Sequence, residues 1–196
     1  NTVTGNLIHI FEDLDSEIYP IPIVRDTYAV TVDERDIFTG LGDQVAINEN
    51  LIVLSNPIEY EYYNRIGEIV IYDTNTKSHL FTIPNPSEIE NKATYAEAKI
   101  AISGKNIFVS DPFNSKVHQI NGDTGQLVRT YDSPNNQEGF GYEIASSNNL
   151  LLISQQRITG QTIGTVYIYD ISTGEFVKEL KNSDPTPGHY YNGQFN

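Results

Sequence analysis

Short runs of aliphatic and aromatic residues, each closed by a polar turn, recur along the chain. Similar runs end at Asp73, Asn121 and Asp170, and a degenerate copy over residues 8–15 includes Glu12. These four positions are about 61, 48 and 49 residues apart, a spacing typical of propeller blades. A second short apolar run follows the three clearer turns, so the repeated unit is predicted to be a β-hairpin.

A second hairpin unit precedes the three clearer copies of the first. Its copies lie at 41–47 with 51–55, at 98–102 with 107–110, and at 140–145 with 150–154. The second strand of each copy is a continuous apolar run, which indicates a strand buried on both faces. We therefore expect this unit to line the centre of the fold and the first unit, with its polar turns, to form the outer half of each blade.

No segment shows a sustained helical period, so the predicted fold is all-β. Two hairpins make a four-stranded blade, and the chain has room for a small β-propeller of about four such blades in a single domain, residues 1–196. Three blades are predicted at approximately 41–84, 95–132 and 140–181, and the fourth is shared between N-terminal strands in 5–33 and a C-terminal strand at 191–196.

Composition excludes several kinds of chemistry. The 196 residues carry a formal net charge of −14 and no cysteine, which excludes disulfides and thiolate metal sites. The acidic balance argues against nucleic acid as a partner, and no apolar stretch approaches the roughly 20 residues needed to span a bilayer. Because the chain starts at Asn1 and lacks methionine, we expect either a removed leader or a longer parent sequence.

One copy of the pattern resembles a known repeat. Phe140-Gly141, followed by the strand and turn at 164–174, is similar to the FG-GAP repeats of integrin α-subunit heads and of many secreted microbial proteins. The resemblance implies a β-propeller outside the cell or at its surface. Quinoprotein-type and kelch-like propellers, whose blades are similar, remain alternatives.

The resemblance also raises the question of calcium, because FG-GAP propellers often bind it through alternating aspartates and a glycine at a sharp turn. The acidic segments at 12–17 and 33–36 both lack that glycine. We therefore expect solvated acidic loops and no metal or other cofactor, although calcium stays possible.

The chain shows no catalytic constellation. Its four histidines, His9, His79, His118 and His189, lie at unrelated repeat positions and form no zinc or triad motif. His9 and His118 are predicted to be exposed residues of outer strands. We expect that the protein is not an enzyme.

Aromatic residues are the candidate interaction residues, because their rings can stack on sugars or anchor an interface. They fall in predicted loops and at the C-terminal strand: Tyr60, Tyr62, Tyr63, Tyr190, Tyr191 and Phe195. The alternative interpretation is that such rings cap hairpins and seal the contacts between blades.

The leading functional hypothesis is a non-catalytic extracellular structural module. A chain that starts and stops within a repeat can donate a strand to the next copy, and a contact that does not close builds a filament or tandem array. The alternative is an adhesin-like propeller that binds a glycan or protein through its tyrosine-rich rim loops. A lyase or glycosidase propeller is the third hypothesis, for which spacing assembles no site. Partners are thus copies of the chain or other extracellular proteins and glycans.

Overall fold

The computed structural model describes residues 38–39, 41–60, 64–84, 98–134, 138–155 and 164–181, with the backbone alone for 38–39, 57–60 and 64–66. These residues form thirteen β-strands and no helix, which confirms the all-β prediction. The strands are β1 Phe38–Thr39, β2 Val45–Ile47, β3 Leu51–Tyr60, β4 Asn64–Asp73, β5 His79–Pro84, β6 Ile100–Ser103, β7 Asn106–Asp111, β8 Lys116–Asn121, β9 Leu127–Asp132, β10 Phe140–Ser147, β11 Leu150–Gln155, β12 Thr165–Asp170 and β13 Phe176–Lys181.

The strands form three antiparallel sheets that follow the chain. The second sheet has the order β6-β7-β8-β9 and the third has the order β10-β11-β12-β13. In the first sheet β3, β4 and β5 follow one another, while β1 and β2 both pair with β3 and form two parts of one interrupted inner strand. The predicted fourth blade at 5–33 and 191–196 lies outside the described residues, and the prediction of a single domain stays a prediction.

A serine on the second strand of each sheet fixes the inner strand. The hydroxyls of Ser55, Ser110 and Ser154 each accept a hydrogen bond from a backbone amide in the inner strand or just before it, at 2.8, 2.7 and 2.8 Å respectively. In the third sheet the register shifts at this point, between Phe140 and Ile144. Such a bulge takes backbone groups out of the ladder, and the serine satisfies one of them.

The turns that carry the sequence repeat all have one conformation. The side chains of Asp73, Asn121 and Asp170 accept backbone amides two or three residues further on, which is the Asx turn that these residue types favour. The fifth residue of each turn has a positive φ, at Lys77, Gly125 and Gly174. The Thr76 amide lowers the pKa of Asp73 below its ordinary value, and the Ser172 hydroxyl together with the Thr173 amide does the same for Asp170.

The hydrophobic core lies between the sheets, and two buried clusters account for most of it. The first joins the first and second sheets through residues such as Val53, Ile71 and Val109, and we call this contact seam 1. The second joins the second and third sheets through residues such as Phe108 and Tyr167, and we call it seam 2.

Burial of the second strands matches the prediction in two sheets and fails in the third. In β3 and β7 residues of both faces are buried. In β11 buried residues alternate with more exposed ones. One face of β11 lies in the contact with the second sheet, and no described sheet covers the other face.

Two further points correct the sequence analysis. The hairpin of β3 and β4 continues beyond Ser55, so Tyr60 is the last residue of a strand, paired with Asn64, and does not lie in a loop. Its register runs unbroken through Pro57, opposite Gly67. In the described part of the chain no helix is long and apolar enough to cross a membrane.

Candidate functional site

A side chain on the outermost strand of one sheet lies against the turn of the next sheet in both seams. In seam 1 the ring of Phe81 packs on Gly125, where an added Cβ would meet it at 3.0 Å. In seam 2 the guanidinium of Arg129 lies against Gly174 so closely that a Cβ there would overlap it. Phe81 and Arg129 hold the same register position in their sheets, opposite the residue two before the turn.

The rims of neighbouring sheets are tied by a repeated hydrogen bond. The Asn48 side-chain amide donates to the carbonyl of Gly104 at 2.7 Å, from the first sheet to the second. The Ser103 hydroxyl donates to the carbonyl of Asn148 at 2.6 Å, from the second sheet to the third. Asn48 and Ser103 occupy the same repeat position in their sheets. In each seam this residue donates to the carbonyl of the following repeat position, which belongs to the next sheet.

Aromatic rings fill seam 2. Tyr131 and Tyr169 meet edge to face with centroids 4.9 Å apart, and Phe140 lies 5.7 Å from Tyr167. The Tyr167 hydroxyl donates to the side chain of Gln155 at 2.9 Å, so its polar end is satisfied. Burial raises the pKa of Tyr169 to about 12. These rings seal a contact between sheets, as the alternative interpretation of the aromatics proposed.

The third sheet turns a further apolar face away from seam 2. Leu151, Ile153, Tyr167 and Tyr169 point into the seam, so the residues that alternate with them point the opposite way. We call this second face the open flank. It consists of Leu150, Leu152, Val166, Ile168, Lys178 and Leu180.

The open flank is exposed where the equivalent faces of the other sheets are covered. Leu150 is 41% exposed, whereas Leu51, at the same position in the first sheet, is 5% exposed. Leu180 is 44% exposed, whereas Tyr131 at the same position in the second sheet is 4% exposed. An apolar face of this kind, set beside polar turns, is typical of an interaction surface.

The open flank also carries the polar groups that form the seams elsewhere. Ser147 stands at the position of Asn48 and Ser103, and its hydroxyl donates to no residue in the described ranges. Lys178 stands at the position of Phe81 and Arg129 and forms no ion pair with a described residue. The next lysine, Lys181, instead bonds Glu179 at 2.7 Å, which raises its pKa.

A buried histidine lies between the first and second sheets, where an exposed one was expected. His118 in β8 is 2% exposed, because the first sheet covers its face of the second sheet. The fully buried Asp111 is its diagonal neighbour on the adjacent strand β7. The Asp111 carboxylate accepts a hydrogen bond from the Asn114 side chain at 2.7 Å. Burial lowers the pKa of His118, Asp111 and Asp132 oppose that effect, and Lys116 adds to it.

The lowered pKa of His118 predicts a pH dependence of stability. Unfolded His118 binds a proton near pH 6.5 while the folded protein does not, so folding is favoured above pH 6.5 and that part of the stability is lost as pH falls through the folded pKa. We expect the free energy of unfolding to fall from pH 6.5 towards pH 5, by at most about 1.4 kcal/mol per pH unit. Urea titrations at several pH values measure it.

His118→Gln should remove this slope, because glutamine does not titrate. The same change at the exposed His79 serves as the control and should leave the slope in place. Equal slopes in wild type and His118→Gln would contradict the assignment.

One of the aromatic residues predicted from the sequence lies in the described part of the chain. Tyr60 ends β3, while Tyr62, Tyr63, Tyr190, Tyr191 and Phe195 lie outside the described residues, and their role stays a prediction. The acidic segments at 12–17 and 33–36 also lie outside. Within the described ranges, no three metal-ligating side chains come together.

The fold is shared with solved β-propellers. No family model matches the sequence, and no curated protein does, so the FG-GAP resemblance has no family match behind it. The chain is similar to quinohemoprotein alcohol dehydrogenase from Comamonas testosteroni, with 13% identity over 74% of this chain and 23% of that chain and a TM-score of 0.51. It is also similar to the β-propeller domain of the Trilobed protease from Pyrococcus furiosus, with 16% identity over 74% of this chain and 43% of that chain and a TM-score of 0.50.

These comparisons confirm the predicted β-propeller and correct one prediction. The chain spans less than half of either solved chain, and at these identities the likeness establishes the fold alone. The expectation that the protein is not an enzyme is wrong: the similar propellers come from a dehydrogenase and a protease, so the fold is one that enzymes use. The error came from treating the absence of a sequence motif as a property of the fold.

Proposed function

We propose that the chain is an extracellular β-propeller module that assembles with copies of itself, as a filament or tandem array, through the open flank of its third sheet. The observation that carries the proposal is the contrast between equivalent leucines, Leu51 at 5% exposure and Leu150 at 41%. Both seams bury this face of a sheet against the next one, and the repeat supplies the same face once more. The proposal concerns association, and such a module can form part of a catalytic protein.

The local chemistry of seam 2 supports a repeated mode of association. Gly141 has a φ of 85° and brings the backbone of the third sheet close to the second, where an added Cβ would lie 3.0 Å from the Lys116 carbonyl. Phe140 beside it is fully buried. We keep the FG-GAP resemblance within the proposal because this dipeptide is what closes the seam, and a similar close approach by a partner would cover the open flank.

Association should depend on Leu180. Burying that side chain against a partner contributes about 1.5 kcal/mol or more, and a carboxylate in its place would have to be desolvated. We therefore expect Leu180→Glu to weaken association at least tenfold in sedimentation velocity over a concentration series. Negative-stain microscopy of the wild type should show oligomers at the high end of that series.

Leu127→Glu is the matched control. Leu127 is also an outer-strand leucine, exposed to a similar degree, but it belongs to the second sheet and not to the open flank. The Leu127→Glu variant should associate with the same affinity as the wild type. A wild type that stays monomeric throughout the series, or two variants that behave alike, would overturn the proposed function.

A further inference from the structure

The first sheet has a face that is turned away from seam 1, and the inner strand of that face is exposed. Val45 and Ile47 of β2 pair with the β3 residues that alternate with those of seam 1, so their side chains lie on this face. Val45 is 66% exposed and Ile47 is 69% exposed. Their equivalents in the second sheet, Ile100 and Ile102, pack against the core of seam 1.

The rest of this face is already buried in the single chain. Four residues of β3 and β4 form its buried cluster: Ile52, Leu54, Val70 and Tyr72. The inner strand is therefore the part of this face that a partner would newly bury.

A glycine before the same inner strand has the conformation that seam 2 uses. Gly42 has a φ of 91°, close to the 85° of Gly141. At Gly141 an added Cβ would lie 3.0 Å from the Lys116 carbonyl of the second sheet. At Gly42 the nearest described atom belongs to Val45 of the same sheet, at 3.8 Å. This copy of the seam glycine therefore has no described sheet against it.

The rim hydrogen bond of the seams also leaves one half at each end of the three sheets. Gly104 and Asn148 supply the carbonyls that accept it in the two seams. Glu49 stands at the same position in the first sheet, and its carbonyl accepts no hydrogen bond from a described residue. The Ser147 hydroxyl, on the open flank, is the remaining donor. The two unused halves are complementary.

We propose that the open flank of one copy binds the inner strand of the first sheet of the next copy, where Gly42, Val45, Ile47 and Glu49 form what we call the entry edge. This inference rests on the proposed function and adds the partner surface. Both surfaces are exposed in the single chain, as Leu150 and Val45 show. Because they are different surfaces, each copy can bind two others, and the contact repeats along a filament.

Two variants that each damage one surface test the inference. Leu150→Glu damages the open flank and Val45→Glu damages the entry edge. Each should weaken association at least tenfold, because a carboxylate would have to be desolvated. Mixed in equal amounts, the two variants should form a dimer and nothing longer, since one supplies an intact entry edge and the other an intact open flank. Sedimentation velocity measures both results.

Val128→Glu is the matched control. Val128 is a half-exposed valine on the outer strand of the second sheet, away from both surfaces, and its variant should assemble like the wild type. If Val45→Glu also assembled like the wild type while Leu150→Glu did not, the entry edge would be overturned as the partner and self-assembly would stand. A wild type that stays monomeric would overturn the proposed function itself.

Cross-linking at the rim gives a second measurement, because the chain has no cysteine of its own. Ser147→Cys and Glu49→Cys chains are prepared separately, mixed and treated with a short bismaleimide. We expect a cross-linked dimer that forms only when both chains are present. Lys105→Cys, on the exposed rim of the second sheet, should give at least tenfold less dimer with Ser147→Cys. Equal yields would overturn the inference.

The doubly substituted chain, with cysteine at both 147 and 49, separates a second copy from closure within one chain. We expect its cross-linked products to be oligomers whose yield rises with concentration. A cross-link within the single chain that does not depend on concentration would overturn the second copy as the partner.

The same alignment predicts the sign of a charge effect. Phe81 and Arg129 lie against the fifth residue of the next sheet's turn, so Lys178 should approach Lys77 of the next copy. Two cations repel, and Lys178→Glu should therefore strengthen association about threefold. Lys105→Glu makes the same change of charge away from the contact and should have no effect. Weaker association of Lys178→Glu would overturn the alignment.

Discussion

Phe108→Ala is expected to lower the free energy of unfolding by about 3–5 kcal/mol, the usual cost of removing a phenylalanine from a closed core. Phe108 lies in β7, is fully buried and belongs to the cluster that joins the second and third sheets. The alanine leaves a cavity that two sheets enclose, and the strands around it are held by ladder hydrogen bonds and cannot collapse into it. Urea unfolding measures the loss as a lower midpoint at an unchanged slope.

Phe113→Ala is the matched control for this prediction. The same side chain is removed, but Phe113 lies in the loop after β7 and is about half exposed. Its loss should cost less than about 1 kcal/mol. If the two variants lost similar stability, the contact between the second and third sheets would not be the source of stability that the buried cluster indicates.

The features that the sequence predicted are those with local causes. Asp73, Asn121 and Asp170 each bond their own backbone within three residues, so the turns, and the hairpins they join, are specified by short stretches of chain. The apolar runs then give the strands and their order. A spacing near 49 residues follows, because each blade is a repetition of the same local units.

The features that the sequence missed depend on what lies next to a strand. His118 has an outer-strand pattern and is buried because the first sheet covers it. β11 has the pattern of a fully buried strand and is half exposed, because no described sheet covers the open flank. The pattern of apolar residues shows which face of a strand can be buried. Whether that face is buried depends on the elements that lie beside it.

The candidate site shows the same division. Leu150 and Leu180 could have been identified from the repeat, since they align with Leu51 and Tyr131, but their exposure could not. The aromatic residues were predicted as interaction residues from their residue type alone. Those in the described core, such as Tyr131, pack in the contact between two sheets. The open flank is recognised by comparing residues at the same position in each repeat. That comparison is informative only when the exposure of each residue is known.

Gly122 offers a severe test of the packing in seam 1. The two seams place a large aliphatic residue on opposite sides of the same contact. In seam 1 the turn residue is Gly122 and it meets Leu51, with the side chain of Leu51 inside the space that a Cβ would need. At the equivalent positions of seam 2 the turn residue is the buried Ile171 and the strand residue is Asn106. Each seam therefore accommodates one large side chain at this point.

Gly122→Ile is expected to cost about 3 kcal/mol of unfolding free energy, the upper range for overpacking. The turn cannot move away, because the Gly122 amide donates to the Lys105 carbonyl at 2.8 Å. Leu51→Ala alone should also destabilise, by about 2–5 kcal/mol. The double variant should be no less stable than Gly122→Ile alone, since the isoleucine fills the space that the leucine leaves.

Denaturant unfolding of the four proteins completes a double-mutant cycle, with an expected coupling at least as large as the loss from Leu51→Ala, about 2 kcal/mol or more. Alanine is chosen at position 51 because asparagine would need a partner such as Gln119, whose side chain donates to Asn106 at 2.9 Å in the second sheet. Ile71 holds that position in the first sheet and offers none. Additive losses would mean that Leu51 and Gly122 do not meet, and the placement of the first sheet against the second would then be wrong.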